Sequence, residues 1–198
     1  MSKTSLESIQ KLRTMTGLGM LDCKKALDLT GGDIEKAIEE LRKKGAAIAS
    51  KRADKDTAQG LIVSYIHPGS QAGVLIELNC ETDFVARTEE VAQFAKDVAM
   101  HIAAMKPAYL CPEEVEQSFL DKEREIAKQQ LLNEGKPEAM LEKILEGKMN
   151  KIYSEVCLLQ QKFIKDDKKS IEEKLSELIA KTGENIKIKR FAHFEIGA

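Results

Sequence analysis

A thiol and an imidazole are the side chains of this sequence best suited to nucleophilic catalysis. Cys80 and His67 lie on the two arms of one expected hairpin, so they could be close. A reactive thiol needs a neighbouring base and an accessible, electropositive setting. Cys80 instead shares the alternating face of Val74, Ile76 and Leu78, which predicts a buried, structural cysteine. We therefore expect no catalytic residue, and an enzyme ranks last among the functions considered.

The sequence offers no cofactor or metal site either. Gly17 and Gly19 form only a G-x-G, without the G-x-x-x-x-G-K-[ST] pattern or a G-x-G-x-x-G after a strand. The four cysteines are far apart, and neither they nor the three histidines have the spacing of metal ligands. Paired glutamates fall at or near expected helix starts, where negative charge complements the helix dipole. We expect neither a cofactor nor a bound metal.

The stretch Glu81–Arg87 (ETDFVAR) has no obvious structural purpose. It lies between the hairpin and a well-capped helix, yet it carries an aromatic residue, Phe84, beside Asp83. Phe84 either packs back onto the following helix as a hydrophobic staple or is an apolar probe presented to a partner. Asp83 either caps the next turn through its side chain or acts on the partner through its charge. The residues alone leave both pairs of alternatives open.

Composition limits the partners and the compartment. Among 198 residues, 31 Lys and Arg oppose 33 Asp and Glu, a net charge of −2. Binding of nucleic acid relies on a basic excess, so we expect no direct nucleic-acid partner. No segment approaches the roughly 18 apolar residues of a membrane span, and the first residues resemble neither a signal nor a transit peptide. We expect a cytoplasmic protein without a membrane partner.

Three short helices are expected in the first 50 residues. A capping box of Thr4 and Glu7 predicts the start of the first helix. The second spans residues 20–29, and Asp33 caps a third that ends at Gly45. Helices of this length bury only a small core, so this module should be compact and of marginal stability alone.

Further along the chain the period of the sequence changes. Alternating and β-branched residues predict an antiparallel hairpin of Leu61–His67 and Val74–Cys80, and a closing strand over Asn185–Ile196. Helices are expected after Thr88, within residues 113–163 and from Ser170 to Gly183.

The predicted fold class is therefore α+β. A three-helix domain occupies residues 1–50, a linker residues 51–60, and an α+β core residues 61–198. In that core a small antiparallel sheet packs with helices.

Four stretches of the sequence form a distinctive set in type, order and spacing: Leu12–Leu27 (LRTMTGLGMLDCKKAL), Gly32–Ala37 (GDIEKA), Glu77–Arg87 (ELNCETDFVAR) and Asn185–Arg190 (NIKIKR). The first three closely resemble the elongation factor Ts family, and the fourth fits the closing strand of that family. The resemblance thus spans nearly the whole chain. Two departures are visible. Many members carry two copies of the core subdomain, whereas this length allows one, and Lys162 stands where a proline is expected.

The resemblance implies a ubiquitin-associated-like N-terminal domain and guanine-nucleotide exchange as the function. The partner is then elongation factor Tu, and the matching family segment enters this GTPase near its magnesium site. That role falls on Thr82, Asp83, Phe84 and Val85. The factor would bind elongation factor Tu·GDP, disturb its magnesium and phosphate site, and promote GDP release during translation elongation.

The resemblance also implies a docking surface. Positions matching Leu12, Met20 and Leu21 dock on a helix of the GTP-binding domain, and the apolar character of these residues suits such a contact. The alternative function is a helical protein-interaction module without exchange activity. Such a module would use the N-terminal helices and would not need the stretch Thr82–Val85.

A homodimer is the expected assembly. Family members with one core copy pair through their cores. Apolar residues on both faces of Leu61–Ile66, together with Leu75 and Phe191, leave surface that a second copy would cover.

Overall fold

The computed structural model describes residues 4–197, apart from the side chains at positions 138 and 139. Within that range the chain mixes helices with a small sheet, so the predicted α+β class is confirmed. The helices are α1 (Leu6–Thr16), α2 (Met20–Leu29), α3 (Ile34–Arg52), α4 (Asp83–Ala86), α5 (Glu89–Met105), α6 (Gln117–Asn133), α7 (Glu138–Val156) and α8 (Ile171–Thr182). The strands are β1 (Gln59–Ile66), β2 (Ala72–Cys80), β3 (Lys162–Phe163), β4 (Asp166–Ser170) and β5 (Ile186–Glu195).

The first helix begins one residue later than the capping box predicted. Ser5 is its N-cap, and the Ser5 hydroxyl accepts the Ser8 N–H at 3.1 Å. Thr4 instead donates its hydroxyl to the side chain of Asp28. The cap of α3 was predicted correctly, because the Asp33 carboxylate accepts a backbone N–H of the first turn at 3.1 Å.

The prediction that the third helix ends at Gly45 is wrong. Helix α3 continues to Arg52, and Gly45 is buried within it. A Cβ at position 45 would lie only 3.2 Å from the Ala180 Cβ of α8. The glycine therefore permits close packing of two helices. In the sequence alone, a glycine in this role cannot be told from one that ends a helix.

An aliphatic cluster holds the first three helices together. Its buried members are Ile9, Leu12, Cys23, Ala26, Leu27, Ala37 and Leu41. They recur at the spacing of one helical face, which is why the sequence predicted amphipathic helices here.

The three longer strands pair in the order β1-β2-β5 among the described residues. The predicted hairpin is present, and the His67 N–H donates to the Ala72 carbonyl at 2.9 Å where it closes. Val74, Ile76, Leu78 and Cys80 are buried on β2, as their alternation predicted. The closing strand is also present, as β5.

The predicted alternation fails in the second half of β5. Ile186 and Ile188 are buried as expected, but Lys189 and Arg190 are both exposed. Beyond them Phe194 and Ile196 are exposed, whereas Phe191, expected on the uncovered face, is half-buried. A break in the alternation exchanges the two faces of a strand, and the even spacing of the sequence does not reveal it.

The middle of the chain forms two long antiparallel-packed helices, α6 and α7. Their facing residues include the buried Ala127, Leu131, Leu141 and Leu145. Gly147 was expected to separate two helical segments, but it lies inside α7 and does not interrupt that helix. The short pair β3 and β4 was not predicted, because one strand has only two residues and the other is mostly charged.

The chain divides into two compact units. The first comprises the described residues of Met1–Ile62, Glu77–Phe94 and Glu173–Lys189, and the second those of Val63–Ile76, Ala95–Glu172 and Arg190–Ala198. The N-terminal helices thus share a unit with α8 and with the start of α5. The predicted domain boundary at residues 51–60 stays a prediction. No helix within residues 4–197 is long and apolar enough to cross a membrane.

Candidate functional site

The stretch Thr82–Val85 forms a single helical turn, α4, directly after β2. Thr82 is the N-cap, and its hydroxyl accepts the Val85 N–H at 3.4 Å. Asp83 therefore does not cap this turn. Its carboxylate lies 3.1 Å from the guanidinium of Arg87, one turn further along.

Phe84 projects from this turn into solvent. Its exposed fraction is 81%, whereas Ala86 on the same turn is buried and Val85 is half-buried. A staple onto the following helix would bury the ring, so the observed exposure favours the interpretation of Phe84 as an apolar probe. An exposed aromatic on a short, fixed turn is a feature of interaction surfaces.

Two carboxylates hold the chain at the start of the turn. The Glu184 carboxylate accepts the Thr82 N–H at 3.0 Å and the Thr82 hydroxyl at 2.7 Å, one oxygen for each donor. Both carboxylate oxygens of the neighbouring Glu81 accept hydrogen bonds from Nη1 of Arg52, each at 2.8 Å. This carboxylate also accepts the Asn185 N–H at 2.6 Å.

These contacts set the electrostatics of the region. The pKa of the Glu81 carboxyl lies below its usual value, mainly because the Asn185 backbone N–H stabilises the carboxylate, with Arg52 adding to the effect. Asn185 is itself buried, and its side-chain amide donates to the carbonyls of Ala53 and Lys55. Sequence reasoning missed Arg52 and Glu184, because no local pattern links residues about 30 and 100 positions away from Thr82.

The three residues predicted to dock a partner differ in exposure. Leu21 is 73% exposed and Met20 is 37% exposed at the start of α2. Leu12 is fully buried in the cluster of the first three helices. Its side chain cannot reach a partner without opening that core, so any surface at this end rests on Met20 and Leu21.

The side chain of Lys181, from α8, lies beside the loop before Met20. Gly17 has a positive φ of 69°, and a Cβ there would lie 2.9 Å from Cε of Lys181. The Lys181 ammonium forms an ion pair with Glu90 at 2.5 Å. The last turn of α8 and the residues after it therefore contact both the loop leading to Met20 and the turn that carries Phe84.

The cysteines have the environment of structural residues. Cys80 is buried and donates its thiol to the Thr82 carbonyl at 3.0 Å. Burial raises the pKa of the Cys80 thiol, and the nearby Glu184 carboxylate raises it further. Burial likewise raises the pKa of Cys157 to about 11. Across the described part of the chain, no group of three or more His, Cys, Asp and Glu side chains is arranged to hold a metal ion.

Comparison with known proteins gives the family. The family model described as Elongation factor TS matches residues 6–177. Proteins named Elongation factor Ts from Desulforamulus reducens, Thermosipho melanesiensis and Syntrophus aciditrophicus are 52%, 52% and 54% identical to this chain. The aligned regions cover 100%, 98% and 96% of this chain and 91%, 98% and 94% of those relatives.

The chain belongs to the elongation factor Ts family. Membership confirms the role that the sequence predicted, nucleotide exchange in translation elongation. Members of the elongation factor Ts family act as exchange factors and not as catalytic enzymes.

Proposed function

We propose that this chain binds elongation factor Tu·GDP and uses the turn Thr82–Val85 to disturb the magnesium and phosphate site of the GTPase. The observation that carries the proposal is Phe84, an aromatic ring that is 81% exposed on a turn fixed at its start by charged groups. Exposing such a ring contributes little to the stability of this chain, whereas covering it with a partner would contribute to binding.

The proposed mechanism needs no catalytic side chain. Magnesium requires near-ideal octahedral geometry and bridges nucleotide phosphates to protein oxygens, so a small displacement weakens GDP binding. Phe84 supplies the apolar contact that holds the turn against the GTPase. Asp83 brings a carboxylate near the ligands of the ion, although its own partner Arg87 neutralises part of that charge.

Binding of the factor and binding of the nucleotide to the GTPase are thermodynamically coupled, so each weakens the other. A factor that binds the nucleotide-free GTPase more tightly than the GDP form must weaken GDP binding by the same factor. Free GTP or GDP subsequently displaces the factor. The fixed turn suits this scheme, because a preorganised surface loses less free energy on binding than a mobile one.

Met20 and Leu21 form the second proposed contact, which we name the docking patch. These side chains are exposed at the start of α2 and follow a loop that lies beside the Lys181 side chain. We propose that the docking patch supplies affinity for the GTP-binding domain, while the turn at Thr82–Val85 supplies the exchange step. Leu12 is buried in the cluster of the first three helices and is not part of the docking patch.

The proposed activity is tested by stopped-flow release of a fluorescent GDP from elongation factor Tu, with and without this chain. We expect acceleration that saturates with the concentration of the chain and is greatest when magnesium is present. Excess EDTA should speed GDP release without the chain and reduce the chain's advantage. Binding to elongation factor Tu with no acceleration at any concentration would instead support the alternative, a helical interaction module.

We also propose a cytoplasmic homodimer that pairs through the uncovered face of the sheet. In the second unit, this face presents the exposed side chains of Ile66, Leu75, Phe194 and Ile196. Two backbone hydrogen bonds align these residues on neighbouring strands. The His67 N–H donates to the Ala72 carbonyl, and the Ile196 N–H donates to the Gln71 carbonyl. A second copy of the same apolar face is a suitable cover, because a two-fold interface joins one patch to itself.

A further inference from the structure

Phe84 is exposed, so apolar burial of its own ring cannot be what keeps α4 in place. The turn has four residues, and an isolated helical turn of that length is unstable in water. Its buried side chain is only an alanine, Ala86. With little apolar packing beyond Ala86 and the half-buried Val85, the turn needs polar contacts to fix the direction in which Phe84 points.

The polar contacts at the start of the turn meet this need. Glu184 accepts two hydrogen bonds from Thr82, one from the backbone and one from the hydroxyl. Because that hydroxyl donates to Glu184, its lone pair is left to accept the Val85 N–H inside the turn. The carboxylate thus orients the N-cap, and the N-cap orients the first turn.

A second contact fixes the residue before Thr82. Glu81 is held by Arg52 of α3 and by the Asn185 N–H, next to Glu184 in the chain. Gly183 permits this arrangement, since its φ of 74° turns the chain sharply after α8. Two consecutive residues of one segment therefore bind two consecutive residues of the other.

We propose that Glu184 is a positioning residue for nucleotide exchange, acting through Thr82 to hold Phe84 in the orientation that the GTPase meets. The inference rests on the proposed function of the turn Thr82–Val85. Loss of the carboxylate should leave the turn covalently intact but free to sample other directions. The probe would then have to be ordered during the exchange step, which lowers the maximal rate of GDP release.

The experiment measures GDP release from elongation factor Tu over a range of concentrations of the Glu184→Ala variant. We expect a maximal rate about tenfold lower, a half-saturating concentration changed less than threefold, and a melting temperature within a few degrees of wild type. Glu184→Gln keeps one accepting oxygen and should lose about threefold. Glu39→Ala removes an exposed carboxylate from α3 of the same unit and is the matched control.

A double variant separates positioning from general stability. If Glu184 acts through Phe84, adding Glu184→Ala to Phe84→Ala should cause a much smaller loss in maximal rate than Glu184→Ala causes alone, because the ring is already absent and only the orientation of Asp83 remains to be lost. If the fold-loss in maximal rate of the double variant equals the product of the losses of the two single variants, the proposal is contradicted. A wild-type maximal rate for folded Glu184→Ala, or for Glu184→Gln should the alanine variant not fold, would also overturn it.

The same measurements distinguish failure of this proposal from failure of the proposed function. If Phe84→Ala slows release and Glu184→Ala does not, only the positioning role is rejected. If Phe84→Ala itself exchanges at the wild-type rate, the assignment of the turn as the exchange element fails.

Discussion

Replacing Phe84 by alanine separates the two interpretations of the turn by magnitude. Truncating a fully buried phenylalanine costs about 3–5 kcal/mol, which would lower the melting temperature of a chain of this size by about 6–20 °C. Phe84 has only about a fifth of its surface covered. A proportionate cost is about 0.6–1 kcal/mol, or about 1–4 °C.

The effect on exchange should be larger than the effect on stability. Burying a phenylalanine side chain contributes about 1.5–3 kcal/mol, and four-fifths of this ring is available to a partner. Losing about 1.2–2.4 kcal/mol in the exchange step lowers the maximal rate of GDP release roughly 8- to 60-fold. The loss should be clearest at millimolar magnesium and should shrink with excess EDTA.

The assay pairs thermal unfolding with stopped-flow GDP release at saturating factor. Phe163→Ala is the matched control, because Phe163 is a buried phenylalanine outside the candidate site and its loss should lower the melting temperature strongly. A Phe84→Ala variant that melts 10 °C or more below wild type yet exchanges normally while folded would refute the probe interpretation.

Three further predictions follow from other parts of the chain. Leu21→Ala should raise the half-saturating concentration of the factor several-fold in the same assay and leave the maximal rate unchanged; a reduced maximal rate with unchanged affinity would contradict the docking role. Light scattering at micromolar concentration should give twice the 22.1 kDa chain mass, and Phe194→Lys should give a monomer; a monomeric wild type would exclude the dimer. Burial lowers the pKa of His101 in the folded chain below its usual 6.5. As the pH falls, His101 therefore binds a proton at a higher pH in the unfolded chain than in the folded chain. The free energy of unfolding should therefore be insensitive to this group above pH 6.5 and decrease below it, by up to about 1.4 kcal/mol per pH unit. His101→Gln should flatten that slope, with His67→Gln as control, and an unchanged slope would contradict the argument.

Local signals in the sequence predicted most elements correctly. Asp33 and Thr88 were identified as helix caps, and both accept backbone N–H groups of the following turn. The helix stop at Gly183 and the alternation of β2 are also present. Each of these features depends on neighbours within about four residues, so the chemistry that produces it is visible in the sequence.

Two of the errors involve contacts between distant segments, at Gly45 and Glu184. Gly45 looked like a helix stop, but its purpose is close approach to Ala180. Phe191 was expected on the uncovered face of the sheet because no sequence signal marks the break at Lys189 and Arg190. Glu184 had no visible role, since its partner Thr82 lies 102 positions earlier.

The packing of α3 also determines how to test the proposal that the docking patch supplies affinity while the turn Thr82–Val85 supplies the exchange step. Removing residues 1–50 takes away the docking patch, but it also takes away Gly45 and the partner of Glu173, Arg42. The face of α8 that carries Ala180 would then lose its cover. The same helix leads into Glu184, which fixes the turn that carries Phe84. A truncated factor could therefore lose exchange because the turn is no longer held, even if the N-terminal helices supply only affinity. Substitutions at Met20 and Leu21 leave these packing contacts in place. They are the variants that can separate affinity from the exchange step.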